Sequence, residues 1–215
     1  MYLIFDTETT GLDPKTGDRM VEIGCVELVN RKLTGNNLHF YLNPGRDSDE
    51  GALRVHGLTT QFLSDKPRFE EIAQELVDYV AGAEIIIHNA PFDLSFLDME
   101  LKRTGKKPFK SFVGSVLDTL VMAKEMFPGK RNSLDALCDR LEVDNSGRTL
   151  HGALLDAELL ADVYINMTRG QDALLIDLGD APDEHGVVEA IDLSRFELPV
   201  LRANDHEAQA HDAVL

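Results

Sequence analysis

The hydrophobic positions in the first half of the chain follow two different periods. Alternating or continuous apolar runs at residues 2–7, 21–29 and 38–42 predict three strands, joined by short connections and expected to be antiparallel. A shorter run, 85–87, predicts one more buried strand. Between these runs, the apolar residues of 69–80 recur at helical spacing, which predicts a helix.

The second half of the chain is mainly helical by the same criterion. Helices are predicted after His88-Asn89-Ala90-Pro91, over 117–126 and 133–141, and from Ala153 to Met167. Strands followed by alternating helices and strands predict an α/β fold, with a mixed sheet covered by helices. Beyond Gly170 the periodicity fades, and residues 177–183 have the composition of an acidic linker.

Composition limits the classes to which the protein can belong. The 215 residues are enough for one domain with an appendage, and no apolar run approaches the roughly 20 residues of a membrane span. No basic region precedes the first apolar run, so no signal peptide and no membrane association are expected. The two cysteines, Cys25 and Cys138, lie far apart, as expected for free thiols in a reducing cytoplasm.

Charge is distributed unevenly along the chain. The net charge of −17 argues against passive coating of nucleic acid, and residues 172–215 alone carry eleven acids and two bases. By contrast, residues 102–131 carry eight bases and two acids. This basic segment has three interpretations: a strip facing phosphates, a solvated surface, or a docking site for an acidic partner.

Two acids one residue apart interrupt the first strand. Asp6 and Glu8 are at positions i and i+2, so both side chains project to the same face of the strand. Like charges this close repel each other, and a hard divalent cation with oxygen ligands relieves that repulsion. The alternative is a strand that ends in solvated acids.

Two further acids and a histidine suggest hydrolytic chemistry. Asp93 follows the strand 85–87 at the start of a helix, where it could also serve only to interact with the helix dipole. Asp156 lies on an apolar helical stripe, a position where an unpaired carboxylate is costly, and His151 precedes the same helix. Four carboxylates and one histidine suit phosphodiester hydrolysis with two metal ions and a general base.

Three motifs in order, Asp6-x-Glu8, Asp93 in His-Asn-Ala-Pro-Phe-Asp, and His151-x-x-x-x-Asp156, resemble the DEDDh family of 3′→5′ exonucleases. The family has a ribonuclease H-like fold, with a five-stranded mixed sheet flanked by helices. Three longer stretches, 30–37, 127–137 and 148–156, are similar to the proofreading exonucleases of bacterial replicative DNA polymerases. The resemblance implies an exonuclease domain over 1–170, a clamp-motif-like segment and acidic linker over 171–186, and a flexible polymerase-binding tail over 187–215.

The resemblance also implies roles for individual residues. Two divalent cations, Mg²⁺ or Mn²⁺, are expected on Asp6, Glu8, Asp93 and Asp156, with His151 as the general base. The expected substrate-binding residues are Asp6, Glu8, Thr7, Leu12, His56, Phe92 and Asp156. His56 could instead cap its own loop. The family often has an acid about five residues before this histidine, whereas this chain has Gly51 there, next to Glu50.

The implied substrate is a single-stranded or frayed DNA 3′ end, in the bacterial cytoplasm at the replisome. Three protein partners are expected: the polymerase catalytic (alpha) subunit through the tail, the sliding clamp through residues 171–176, and a small stabilising subunit. In an extended segment Leu174 and Ile176 face the same way, with Gln171 as a polar contact, although the segment could equally extend the last helix. Two other functions stay open: an RNA-trimming exonuclease similar to ribonuclease T, and a non-catalytic adaptor in the replisome.

Overall fold

The computed structural model describes residues 1–148 and 150–169. The strands are β1 (Tyr2–Thr9), β2 (Met20–Val29), β3 (Lys32–Leu33), β4 (Leu38–Tyr41), β5 (Glu84–Ile87) and β6 (Ser115–Asp118). The helices are α1 (Glu50–His56), α2 (Thr60–Leu63), α3 (Phe69–Val80), α4 (Ala90–Arg103), α5 (Thr119–Met126), α6 (Leu134–Leu141) and α7 (Ala153–Met167). None of the helices in these two ranges is both long enough and apolar enough to cross a bilayer.

The strands form one mixed sheet around β1. Strand β2 runs antiparallel to β1 on one side, whereas β5 and then β6 run parallel to it on the other. Both β3 and β4 pair with the outer edge of β2, at different places along it, so the sheet is five strands wide. The expected five-stranded mixed sheet is confirmed.

The two faces of β1 are buried by different helices. Leu3 and Phe5 belong to a core that includes the buried faces of α3 and α4, whereas Ile4 packs with α7. Because side chains alternate along a strand, Asp6 and Glu8 continue the α7 face. Thr7 continues the face of α3 and α4. Polar side chains of β1 therefore face helices on both faces of the sheet.

A glycine in β2 lets α7 approach the sheet closely. Gly24 pairs with Asp6 across the two strands. A β carbon at Gly24 would lie 2.2 Å from the backbone carbon of Ala153 and from the backbone nitrogen of Leu154. The first turn of α7 thus rests directly on the β2 backbone, and Asp156 follows within that turn.

Most predicted elements are present, and one boundary is wrong. The helices over 69–80 and 153–167 are confirmed. The helix predicted over 117–126 begins only at Thr119, because residues 115–118 form the edge strand β6. This strand has four residues and no fully buried side chain, so it lacks the alternation that would distinguish it from a helix. The acidic linker and the flexible tail predicted beyond Gly170 lie outside the described residues.

Candidate active site

The five residues predicted to carry the chemistry line a single cavity. It has a volume of about 520 Å³ and lies where the parallel strands β1 and β5 end, the edge at which open α/β sheets bind ligands. Its walls include the four predicted carboxylates and the predicted base: Asp6, Glu8, Asp93, Asp156 and His151. The fold thus brings together residues that lie up to 150 positions apart in the sequence.

The tightest group within this cavity consists of Glu8, His151 and Asp156. Their candidate ligand atoms all lie within 4.8 Å of one another. The turn that carries His151 is fixed to α1, because the His151 backbone N–H donates to the carbonyl oxygen of Val55 at 3.0 Å. Carboxylate oxygens suit Mg²⁺ or Mn²⁺, so Glu8 and Asp156 fit the expected divalent cations, with His151 beside them.

Asp93 reaches the cavity from the opposite face of the sheet. It lies in the first turn of α4, and its Oδ1 accepts a hydrogen bond from the Thr7 hydroxyl at 2.7 Å. The turn before α4 has Asn89 in the left-handed region, at φ 68°, which asparagine tolerates better than most residues. The Asn89 N–H also donates to the Asp118 carboxylate at 3.1 Å, so the end of β6 holds this turn.

Burial and the charges of neighbouring acids raise the pKa values of Asp6, Glu8 and Asp93. Burial, together with the charges of Asp93, Glu8 and Asp156, raises the pKa of Asp6 well above its ordinary value. Burial and the Asp156 charge raise the pKa of Glu8 to about 8. Burial raises the pKa of Asp93 to about 7, although the Thr7 hydrogen bond opposes this rise. Bound cations would relieve this repulsion.

One arginine, Arg148, forms an ion pair with an acid of this cavity. Arg148 donates from Nε to Oδ1 of Asp156 at 2.6 Å and from Nη2 to Oδ2 of the same carboxylate. It also donates from Nη1 to Asp135, and its Nη2 lies 2.6 Å from Nδ1 of His151. The Arg148 side chain is only 6% exposed. Sequence reasoning assigned this residue no role.

A second cavity adjoins the first and contains the other predicted substrate residues. Its volume is about 400 Å³, and Thr7, Glu8 and Phe92 line both cavities. The walls of the second cavity also include Leu12 and His56, together with Gly51. The Leu12 side chain is 84% exposed, which is unusual for a leucine in a folded domain.

The environment of His56 defines which of its nitrogens can donate. Its Nδ1 accepts from the Leu58 N–H at 2.9 Å, and burial lowers its pKa, so the neutral ring carries its proton on Nε2. That Nε2 is buried and forms no hydrogen bond to any of the residues described. His56 therefore caps its own loop and also keeps a donor free.

Lysines of the predicted basic segment also contribute to the site. Lys124 and Lys130 line the same cavity as the carboxylates of β1. The excess of bases over residues 102–131 predicted a basic strip. It did not show which of these residues line the cavity. The predicted clamp-binding residues Gln171, Leu174 and Ile176 lie outside the described residues.

Comparisons with known proteins agree with this geometry. A family model described as RNase T exonuclease matches residues 3–164. The chain is 49% identical over 217 residues to a protein of Pasteurella multocida named DNA polymerase III subunit epsilon, covering 97% of this chain and 85% of the relative. It is 48% identical over 221 residues to the Escherichia coli protein of the same name, covering 99% and 91%.

Solved structures share the fold. A structure of exonuclease X with a 5′-overhanging duplex DNA has a TM-score of 0.64 and 26% identity, covering 80% of this chain and 93% of that one. The nuclease domain of 3′hExo, a DEDDh family member bound to rAMP, has a TM-score of 0.67 at 17% identity, covering 79% and 92%. The chain therefore belongs to the DEDDh exonucleases of the RNase T family, as a 3′→5′ exonuclease of the DNA polymerase III epsilon type.

Proposed function

We propose that this protein proofreads DNA synthesis by removing mispaired nucleotides from the 3′ end of a primer strand. The observation that carries the proposal is the adjacency of the two cavities, one lined by acids and a histidine and the other by apolar side chains. Glu8, Thr7 and Phe92 belong to both. A terminal nucleotide can thus place its base in one cavity and its phosphodiester in the other.

The proposed cation ligands are Asp6, Glu8, Asp93 and Asp156. Two divalent ions held there would supply electrostatic stabilisation for a phosphodiester that gains negative charge in the transition state. Mg²⁺ and Mn²⁺ both suit oxygen-rich sites of this kind. The raised pKa values of Glu8 and Asp93 support the proposal, because acids forced together at this cost are typical of functional sites.

Side chains of this protein carry out the remaining steps. His151 takes the proton of the attacking water, because histidine is the side chain that most often serves as a general base. Lys124 and Lys130, which line the same cavity, contact phosphates of the bound strand. Leu12 and Phe92 pack against the terminal nucleotide, and His56 contacts it from the wall of the same cavity.

Specificity for mispaired ends follows from how the terminal base is bound. A base that enters the second cavity cannot stay paired, so a paired end must first separate from its template. Separation costs less free energy when the terminal pair is mismatched. The enzyme therefore removes mispaired nucleotides faster without needing to recognise the mismatch itself.

The substrate class is tested by comparing two labelled substrates. One is a DNA primer–template with a 3′-terminal mispair, and the other is an RNA duplex with a 3′ overhang of the same length. Preferential shortening of the DNA primer supports proofreading. Preferential shortening of the RNA would favour the RNA-trimming alternative, and hydrolysis of neither substrate would favour a non-catalytic adaptor.

We also propose that residues 171–215 connect the nuclease to its partners. The proposed contacts are the polymerase catalytic subunit through residues 187–215 and the sliding clamp through Gln171, Leu174 and Ile176, with residues 177–183 as an acidic linker. A chain ended after Gly170 should keep its nuclease activity but no longer co-purify with the polymerase. Unchanged co-purification would place the binding surface in residues 1–170 instead.

A further inference from the structure

Arg148 occupies a position that the proposed function does not explain. Its side chain is 6% exposed, and that of Asp156 is 4% exposed, so the two charges face each other away from water. The guanidinium uses two of its nitrogens to bind both oxygens of Asp156, the strongest geometry available to an arginine and a carboxylate. A surface ion pair would not need such a fork.

The same guanidinium opposes the repulsion among the other acids. It lines the same cavity as Asp6 and Glu8, so its positive charge faces their carboxylates. Arg148 therefore does for these acids part of what a divalent cation would do. A cation that used the Asp156 oxygens would meet the guanidinium at the same atoms.

We propose that Arg148 competes with divalent cations for Asp156, and that it thereby sets the affinity of the site for its metal. This inference rests on the proposed cation site. Asp135 gives the guanidinium a second anchor, because it binds Nη1 while Nε and Nη2 hold Asp156. Asp135 is about half exposed, so it can keep Arg148 near the cavity after Asp156 is released.

Release of Asp156 also affects the proposed base. Nδ1 of His151 lies 2.6 Å from Nη2 of Arg148 and 3.2 Å from Oδ2 of Asp156. Because an arginine always donates, the contact with Arg148 requires Nδ1 to accept. While that contact persists, the Nδ1 lone pair is engaged and cannot take a proton from water. Displacement of Arg148 by a cation would free both Asp156 and His151, so that loading and activation of the site occur together. Arg148 is in this account a positioning residue.

The test is the affinity of the full chain for Mn²⁺ alone, measured by calorimetry after dialysis against chelator. Arg148→Gln should bind Mn²⁺ about tenfold more tightly than the parent, corresponding to ~1.4 kcal/mol. The Mn²⁺ concentration for half-maximal hydrolysis should fall by a similar factor. Arg46→Gln is the matched control, since Arg46 pairs with Asp18 and lines neither cavity, and its affinity should equal that of the parent.

The variant Arg148→Lys distinguishes competition for the Asp156 oxygens from simple charge repulsion. It also keeps the buried charge if Arg148→Gln folds poorly. Lysine keeps the charge but cannot form the fork, so competition predicts several-fold tighter Mn²⁺ binding. An Arg148→Lys affinity equal to the parent, or an Arg148→Gln affinity no higher, would overturn the competition and leave the cation site standing. Absence of Mn²⁺ binding by every variant and by the parent would overturn the cation site itself.

Discussion

The close packing of α7 on Gly24 can be tested by adding a single methyl group. In Gly24→Ala the new β carbon would lie 2.2 Å from backbone atoms of Ala153 and Leu154, whereas ordinary contacts begin at 3.4 Å. Backbone atoms cannot rotate away, so the start of α7 must retreat by more than 1 Å. Overpacking of this kind costs ~1–3 kcal/mol of unfolding free energy. Asp156 lies in the displaced turn, and misplacement of a reacting group by ~1 Å lowers rates by ~10²-fold.

Two measurements separate these effects. Urea unfolding reports the loss of stability, and single-turnover hydrolysis of a mispaired primer reports the rate per folded molecule. Gly147→Ala is the control, because a β carbon at that exposed glycine meets nothing within 4 Å. If Gly24→Ala were as stable and as active as the control, α7 would not depend on this contact for the placement of Asp156.

Three further predictions concern the acids and the base. In excess chelator the free energy of unfolding should fall as pH rises from about 4.5 to about 8, because Glu8 keeps a proton in the folded state that the unfolded chain has released; urea titrations across that range measure the fall, and added Mn²⁺ should remove most of it. His151→Ala should lower the hydrolysis rate by ~10²–10⁴-fold with little change in the thermal midpoint. Thr7→Val should cost ~1–3 kcal/mol of unfolding free energy, because the hydroxyl that donates to buried Asp93 is lost, and Thr7→Ser should restore most of it.

Each of these predictions has a contradicting outcome. Stability that stays constant across the same pH range would show that Glu8 is ionised in the folded protein at little cost. A His151→Ala variant that lost stability but kept its rate per folded molecule would make His151 a packing residue. A Thr7→Val variant as stable as the parent would mean that the bond to Asp93 is replaced, for example by water.

The sequence predicted the site acids because they occupy positions where an apolar residue is expected. Asp6, Glu8 and Asp156 lie on stripes that should be apolar, and the structure buries Glu8 and Asp156 and brings all three to one cavity. The long helices were predictable because their apolar faces repeat over several turns. Strand β6 was not, because four residues at a half-buried edge carry too little pattern.

Other features of the site depend on tertiary contacts that no local pattern encodes. Arg148 belongs to a polar loop between α6 and α7, where a basic residue is ordinarily solvated, and only the fold brings it against Asp156. Thr7 faces away from its neighbours on β1, so its bond to Asp93 requires the helix on the other face. Gly24 did leave a signal, since an isolated glycine inside a strand often marks a close backbone approach.

A divalent cation on the acid cluster is proposed to drive hydrolysis from the 3′ end. The measurement that tests this follows a 5′-labelled primer with a 3′-terminal mispair, incubated with the isolated chain at increasing Mg²⁺ or Mn²⁺. We expect products shortened one nucleotide at a time from the 3′ end, no hydrolysis in excess chelator, recovery when the cation is restored, and none with Asp156→Asn. Undiminished hydrolysis in excess chelator, or by Asp156→Asn, would contradict it.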